Sequence, residues 1–163
     1  MPKLLLFAGC ERVSFDSSDK SPSLLGVLQG FTVTVGPLPL NEPLVAVHEM
    51  KDDIPPPAAI PIRWVAFSLW KRVPEDKGKK FVQVCELISP SGKSVGGRHP
   101  GEFEMTAGFH RHTVNIHGFP INEQGDYVLR LSLIEDDGEA KVIKEYPISV
   151  VHVPPDVKEE PAK

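Results

Sequence analysis

Hydrophobic and polar residues alternate along most of this chain with the period of an extended strand, most clearly over residues 125–153. Tyr127, Leu129, Leu131 and Leu133 occupy alternate positions, with Arg130 and Ser132 between them. Successive side chains of a strand point to opposite faces, so the pattern predicts a strand with one buried side. Asp136-Asp137-Gly138 supplies a turn and a β-branched run follows, which together predict a long β-hairpin. The same period recurs upstream. Residues 3–13 predict a first strand, with Leu4, Leu6 and Ala8 on its inward face. Residues 24–35 predict a second, in which Gly26 and Gly30 mark bulges or close backbone approach. Residues 44–49 form a short strand, 62–71 a strong one, and 81–88 one that is apolar on both faces. Residues 103–105 and 109–117 are two pieces, or one strand broken at Gly108. Residues 15–22, 74–80, 96–101 and 118–125 read as loops or turns, and Pro55-Pro56-Pro57 makes residues 51–61 a stiff connector.

Eight or nine strands without an amphipathic helix predict an all-β fold, an antiparallel β-sandwich of immunoglobulin-like or C2-like kind. Composition agrees. Seventeen prolines and 13 glycines in 163 residues suit short strands joined by turns and not a helical chain. The length suits one domain, residues 1–153, with 154–163 as a disordered tail. A formal charge of −4 offers no basic face for nucleic acid. No stretch approaches the roughly 18 apolar residues needed to span a membrane. Cys10 and Cys85 both fall inside strands and read as buried free thiols, which fits a reducing cytoplasm. An alternative starts from Lys3 and the apolar run 4–8 ahead of Cys10. That is a short lipoprotein-like signal, which would make the chain an exported module lipid-anchored through Cys10. The run is shorter than the 7–15 residues of a signal core, so the cytoplasmic strand is preferred.

Several short motifs come in a fixed order: Cys10-Glu11-x-Val13, Ser23-Leu24-Leu25-Gly26-Val27, Ile88-Ser89-Pro90-Ser91-Gly92-Lys93, Gly125-Asp126-Tyr127, and Tyr146-Pro147-Ile148-Ser149-Val150. In them the chain resembles a family of small bacterial β-sandwich proteins known only as a domain of unknown function. It departs from that pattern over residues 52–61 and 96–117. The resemblance implies the fold and a cytosolic setting. It implies no activity and no functional residues.

Candidate chemistry is sparse. Ser91-Gly92-Lys93-Ser94 lacks the upstream glycine and the following helix of a phosphate loop, and reads as a hairpin turn. His110 and His112 share one face of a strand, as two metal ligands would, while His117 has the opposite parity and needs a bulge to join them. Glu102 and Glu104 share a face and read as a solvated edge, not a catalytic pair. Glu135-Asp136-Asp137 and Asp52-Asp53 are acidic loops that lack ordered calcium spacing. In residues 62–71, Val65, Phe67 and Leu69 make one face and Trp64, Ala66, Ser68 and Trp70 the other. Taking the first as core leaves both indoles outward, where the proline-rich connector or another part of the chain covers them, or where they form an interface for a protein partner or a second copy, or stack on a sugar or other ligand. The expectation is a non-catalytic binding or assembly module without cofactor. The alternatives are a metal-dependent enzyme built on His110 and His112, and the exported module.

Overall fold

The computed structural model describes residues 1–34, 59–135 and 138–154. The residues described are all-β apart from one 3-10 turn, Pro74–Asp76. The strands are β1 (Lys3–Phe15), β2 (Pro22–Val27), β3 (Gly30–Thr34), β4 (Ala59–Lys71), β5 (Lys80–Ile88), β6 (Ser94–Glu104), β7 (Phe109–Pro120), β8 (Gly125–Glu135) and β9 (Lys141–Val153). They form two sheets, one of four strands in the order β2-β1-β4-β7 and one of five in the order β3-β9-β8-β5-β6. All pairs are antiparallel except β3 with β9. The β-sandwich expected from the periodicity is what the chain forms.

The terminal hairpin is as the alternation predicts. Tyr127, Leu129, Leu131 and Leu133 are buried together between the sheets, and β9 returns beside β8 from Gly125↔Val150 to Leu133↔Lys141. On β9, Ile148 and Val150 complete that wall. The strand expected at residues 44–49, the acidic pair Asp52-Asp53, most of the proline connector, Asp136 and Asp137, and residues 155–163 lie outside the described residues. The last three connector residues, 59–61, belong to β4.

Residues 24–35, read as one strand, are two. The chain leaves the four-stranded sheet after Val27 and enters the other at Gly30, crossing at Leu28, whose N–H donates to the Gly9 carbonyl at 2.9 Å. Gly30 is required at the crossing, because a Cβ there would meet the Ser149 carbonyl oxygen at 2.4 Å. Residues 96–101, read as a loop, lie within β6. The register of β6 against β5 shifts between Glu86 and Leu87, and Gly96 and Gly97 have φ near +80°. These mark a bulged edge strand, with the glycine signature that sequence reading assigns to loops.

The inward face of β1 also differs from the expected one. A bulge between Leu4 and Leu6 reverses the alternation, so Phe7 and Gly9 face the core opposite Ser68 and Ala66. Ala8 and Cys10 then lie on the outward face, yet Ala8 is 5% exposed and Cys10 0%. The second half of β1 explains this. Its pairing with β4 ends at Cys10↔Val65, after which it pairs only with β2. A straight strand would carry Phe15 about 17 Å past Cys10, away from Phe67. Instead the Phe15 and Phe67 rings are 6.1 Å apart. β1 therefore bends, and the β1–β2 hairpin folds back as an arm across the outer face of β4 and β7. At its tip the Asp19 carboxyl is held below its usual range by the Ser21 backbone N–H first, with Arg111 of β7 adding to it.

The tryptophan face is the main correction. Trp64, Ala66, Ser68 and Trp70 point between the sheets and are each at most 1% exposed. They form no outward trough. The reason is volume and polarity together. Indoles fill the wide space between the layers, Ala66 and Ser68 leave room for them, and each indole N–H finds a partner. Trp64 Nε1 donates to the Gly118 carbonyl at 3.0 Å, and Trp70 Nε1 to Gln83 Oε1 at 2.9 Å and Ser68 Oγ at 3.1 Å. Val65, Phe67 and Leu69, expected in the core, face the arm's side, where Phe67 is fully buried.

Candidate functional site: the seam between two edge strands

β6 ends one sheet and β7 ends the other, and the two edges lie side by side along one flank of the sandwich. The inward positions on β7 are His110, His112, Val114 and Ile116. On β6 they are Val95, His99, Gly101 and Phe103. Together these residues make a seam with two unlike halves.

One half is closed. His110 stacks on Phe103 with ring centroids 4.2 Å apart and planes 10° from parallel. The His112 ring presses on Gly101, where a Cβ would come within 2.2 Å of Cε1. Only glycine admits the imidazole at that depth. The two imidazoles are 5.9 Å apart. Burial, helped by His112, pushes His110 down to about 4, and burial alone lowers His112. His110 Nε2 is buried with no hydrogen-bond partner. Both rings therefore sit neutral in the seam at pH 7. His117 projects to the opposite side of β7, paired in register with Arg63, and no bulge brings it to the other two. No group of three or more His, Cys, Asp or Glu placed to hold a metal ion occurs among the described residues.

The other half is open. A cavity of about 320 Å³ enters between the sheets, lined among others by Trp64, Cys85, Leu87, Val95, Ile116 and Leu129. Trp64, Cys85, Leu87 and Leu129 belong to the buried core and form its floor. The polar lining residues are His99, Asn115 and His117. Burial pushes the Cys85 thiol up to about 12, with the Gln83 amide opposing, so it stays protonated and is a poor nucleophile. Cys10, also free and buried, lies in the other sheet, so the two expected free thiols are present and unpaired.

Sequence reading missed two residues here. His99 was hidden in what read as a loop, and Cys85 was seen only as a core thiol. Their register, Cys85↔His99, places them side by side at the cavity. The other candidates do not converge with them. Glu102 and Glu104 are exposed on β6, opposite Val82 and Lys80, beside a groove on the outer face of the five-stranded sheet. Glu135 pairs with Lys79 at 3.2 Å. Ser89 to Lys93 is a tight turn between β5 and β6, closed by the Gly92 N–H on the Ser89 carbonyl at 2.8 Å. No helix among the described residues is long and apolar enough to cross a membrane. No protein-family model matches the chain, and no curated protein matches it.

Proposed function

We propose that this chain is a non-catalytic binding module, and that its site is the open half of the seam. The observation that carries the reading is the 320 Å³ cavity, with a floor of core side chains and, among the described residues, His99 as the polar side chain at an inward position; Asn115 and His117 border it from the outward face of β7. Small-molecule sites have volumes of roughly 300–1,000 Å³, an apolar lining and a few polar groups that orient the ligand. Dry cavities of roughly half that volume take up benzene. The ligand class is a compact, neutral, apolar or aromatic molecule bearing one polar substituent. The high thiol pKa at Cys85 supports binding over covalent chemistry. Two buried free thiols support a reducing cytoplasmic setting.

Indole is a suitable probe. Titrated into labelled protein, it should shift the amides of Cys85, Val95, Ile116 and Leu129 with saturation at one per chain. Val95→Trp, which fills the cavity from the half-buried side, should abolish those shifts and leave the melting temperature within about 3 °C. Indole binding that survives Val95→Trp in a folded protein would refute the site.

A further inference from the structure

The six arginines of the chain sort into two groups. Arg72 donates to the Thr106 carbonyl at 2.7 Å, Arg98 faces Glu86, and Arg130 lies between Glu86 and Glu145; Arg111 has no ion pair among the described residues, its Nε is buried without a hydrogen-bond partner, and it lies only in the field of Asp19. Arg12 and Arg63 make no hydrogen bond or ion pair among the described residues. Both line one cleft of about 530 Å³, which also takes in Val13, Phe15, Val65, Thr113, Asn115 and His117. The arm forms one wall, with Val13 and Phe15 turned toward the sheet and Arg12, on the other face of the strand, at the exposed rim. The outer face of β4 and β7 forms the other, with Arg63, Val65, Thr113 and Asn115.

An unpaired surface arginine is ordinary. Two that border one roofed cleft, with apolar side chains between them, are not explained by the fold. The arm is held down without them, through the Phe15–Phe67 contact. Among the described lining residues Glu11 is the one carboxylate, against the two guanidiniums of Arg12 and Arg63, so the positive charge at the cleft is in excess by one. A guanidinium presents a planar fork of donors that matches a carboxylate. Val13, Phe15 and Val65 match an apolar body, which inorganic phosphate lacks.

We propose that the cleft beneath the arm binds a small organic carboxylate. The apolar part lies between Val13 and Phe15 on the arm and Val65 on the sheet. Arg12 and Arg63 take the carboxylate, and Thr113 and Asn115 offer further hydrogen bonds. This cleft borders the seam across β4 and β7: Trp64, Asn115, Ile116 and His117 touch both, while Arg12, Val13, Phe15, Arg63 and Val65 belong to the cleft alone.

Octanoate and 1-octanol, which differ in the charged group, test it by amide chemical-shift titration of the full chain. Octanoate should shift Val13, Val65 and Thr113 with saturation at one per chain, and 1-octanol should bind there at least about 10-fold more weakly. Arg12→Gln and Arg63→Gln, both at exposed positions, should each weaken octanoate about 10-fold and leave the melting temperature unchanged. Equal affinity in both variants and the parent overturns the proposal. Shifts confined to Cys85, Val95 and Leu129 overturn it too, because they move the carboxylate to the seam. Loss of indole binding at the seam leaves this result untouched, so the two readings fail separately.

Discussion

Gln83 offers the sharpest test of how the two sheets are held in register. It is 1% exposed, and its carbonyl oxygen accepts from Ser68 Oγ at 2.7 Å and Trp70 Nε1 at 2.9 Å, both on the opposite sheet. Replacing it with leucine keeps the volume and removes the acceptor. The Trp70 N–H retains Ser68 Oγ at 3.1 Å, but the Ser68 hydroxyl hydrogen loses its acceptor in a dry core. An orphaned buried donor costs about 1–3 kcal/mol, partly offset by the transfer of a more apolar side chain. A net loss of about 1–2 kcal/mol follows, or a drop in melting temperature of about 2–8 °C for a domain of this size. Chemical denaturation of Gln83→Leu, Ser68→Ala, Trp70→Phe and the triple variant measures it. The triple variant leaves no polar group in the network unpaired. It should therefore be more stable, by at least about 1 kcal/mol, than the sum of the three single losses predicts. Strict additivity, or a neutral Gln83→Leu, would refute the reasoning and reduce the network to ordinary packing.

Two further outcomes follow from the seam and the core. His110 has its pKa lowered to about 4 in the fold against about 6.5 in the unfolded chain. The unfolded chain thus binds more protons between these values, and stability falls as pH drops from about 6.5 to 4. The ring is half-buried, so solvent screening cuts the full value to on the order of 1 kcal/mol; His110→Phe should flatten urea midpoints across that window, and an unchanged slope would remove His110 as the cause. Trp64→Ala should cost about 3–5 kcal/mol with no change in oligomeric state by light scattering, whereas a folded variant of altered association would restore the outward reading of that face.

The strands were legible wherever one face met the core and the other met water. Residues 125–135 are the clean case, because Tyr127, Leu129, Leu131 and Leu133 are buried between the sheets while Asp126 and Arg130 on the other face keep contact with solvent. Residues 62–71 were misread for the opposite reason. Both faces of β4 are covered, one by the second sheet and one by the arm, so Phe67 and Trp70 are each 0% exposed. Alternation cannot say which side of a doubly buried strand faces the core. The β1 bulge had the same effect on a smaller scale. One extra residue near Leu5 moved Phe7 inward and Leu6 out of phase, and no local signal in the apolar run 4–8 marks where it falls.

The two proposed sites were not legible at all, and the cause is geometric. Each forms where distant segments meet across a gap that backbone pairing does not close. The seam joins β6 to β7, two edge strands in different sheets, and its contents depend on which residues each strand turns inward. His99 reaches it only because a bulge and two left-handed glycines keep residues 94–104 in the sheet. The arm cleft depends on a bend after Cys10, which brings Val13 and Phe15 over the face of β4 that carries Arg63. β7 is common to both. Its Asn115, Ile116 and His117 border both cavities, and its outward Thr113 borders the arm cleft alone. An edge strand pairs on one side only, and among the described residues a cavity borders β7 on each face. That leaves β7 as the element of the sandwich on which a ligand from either side can bear.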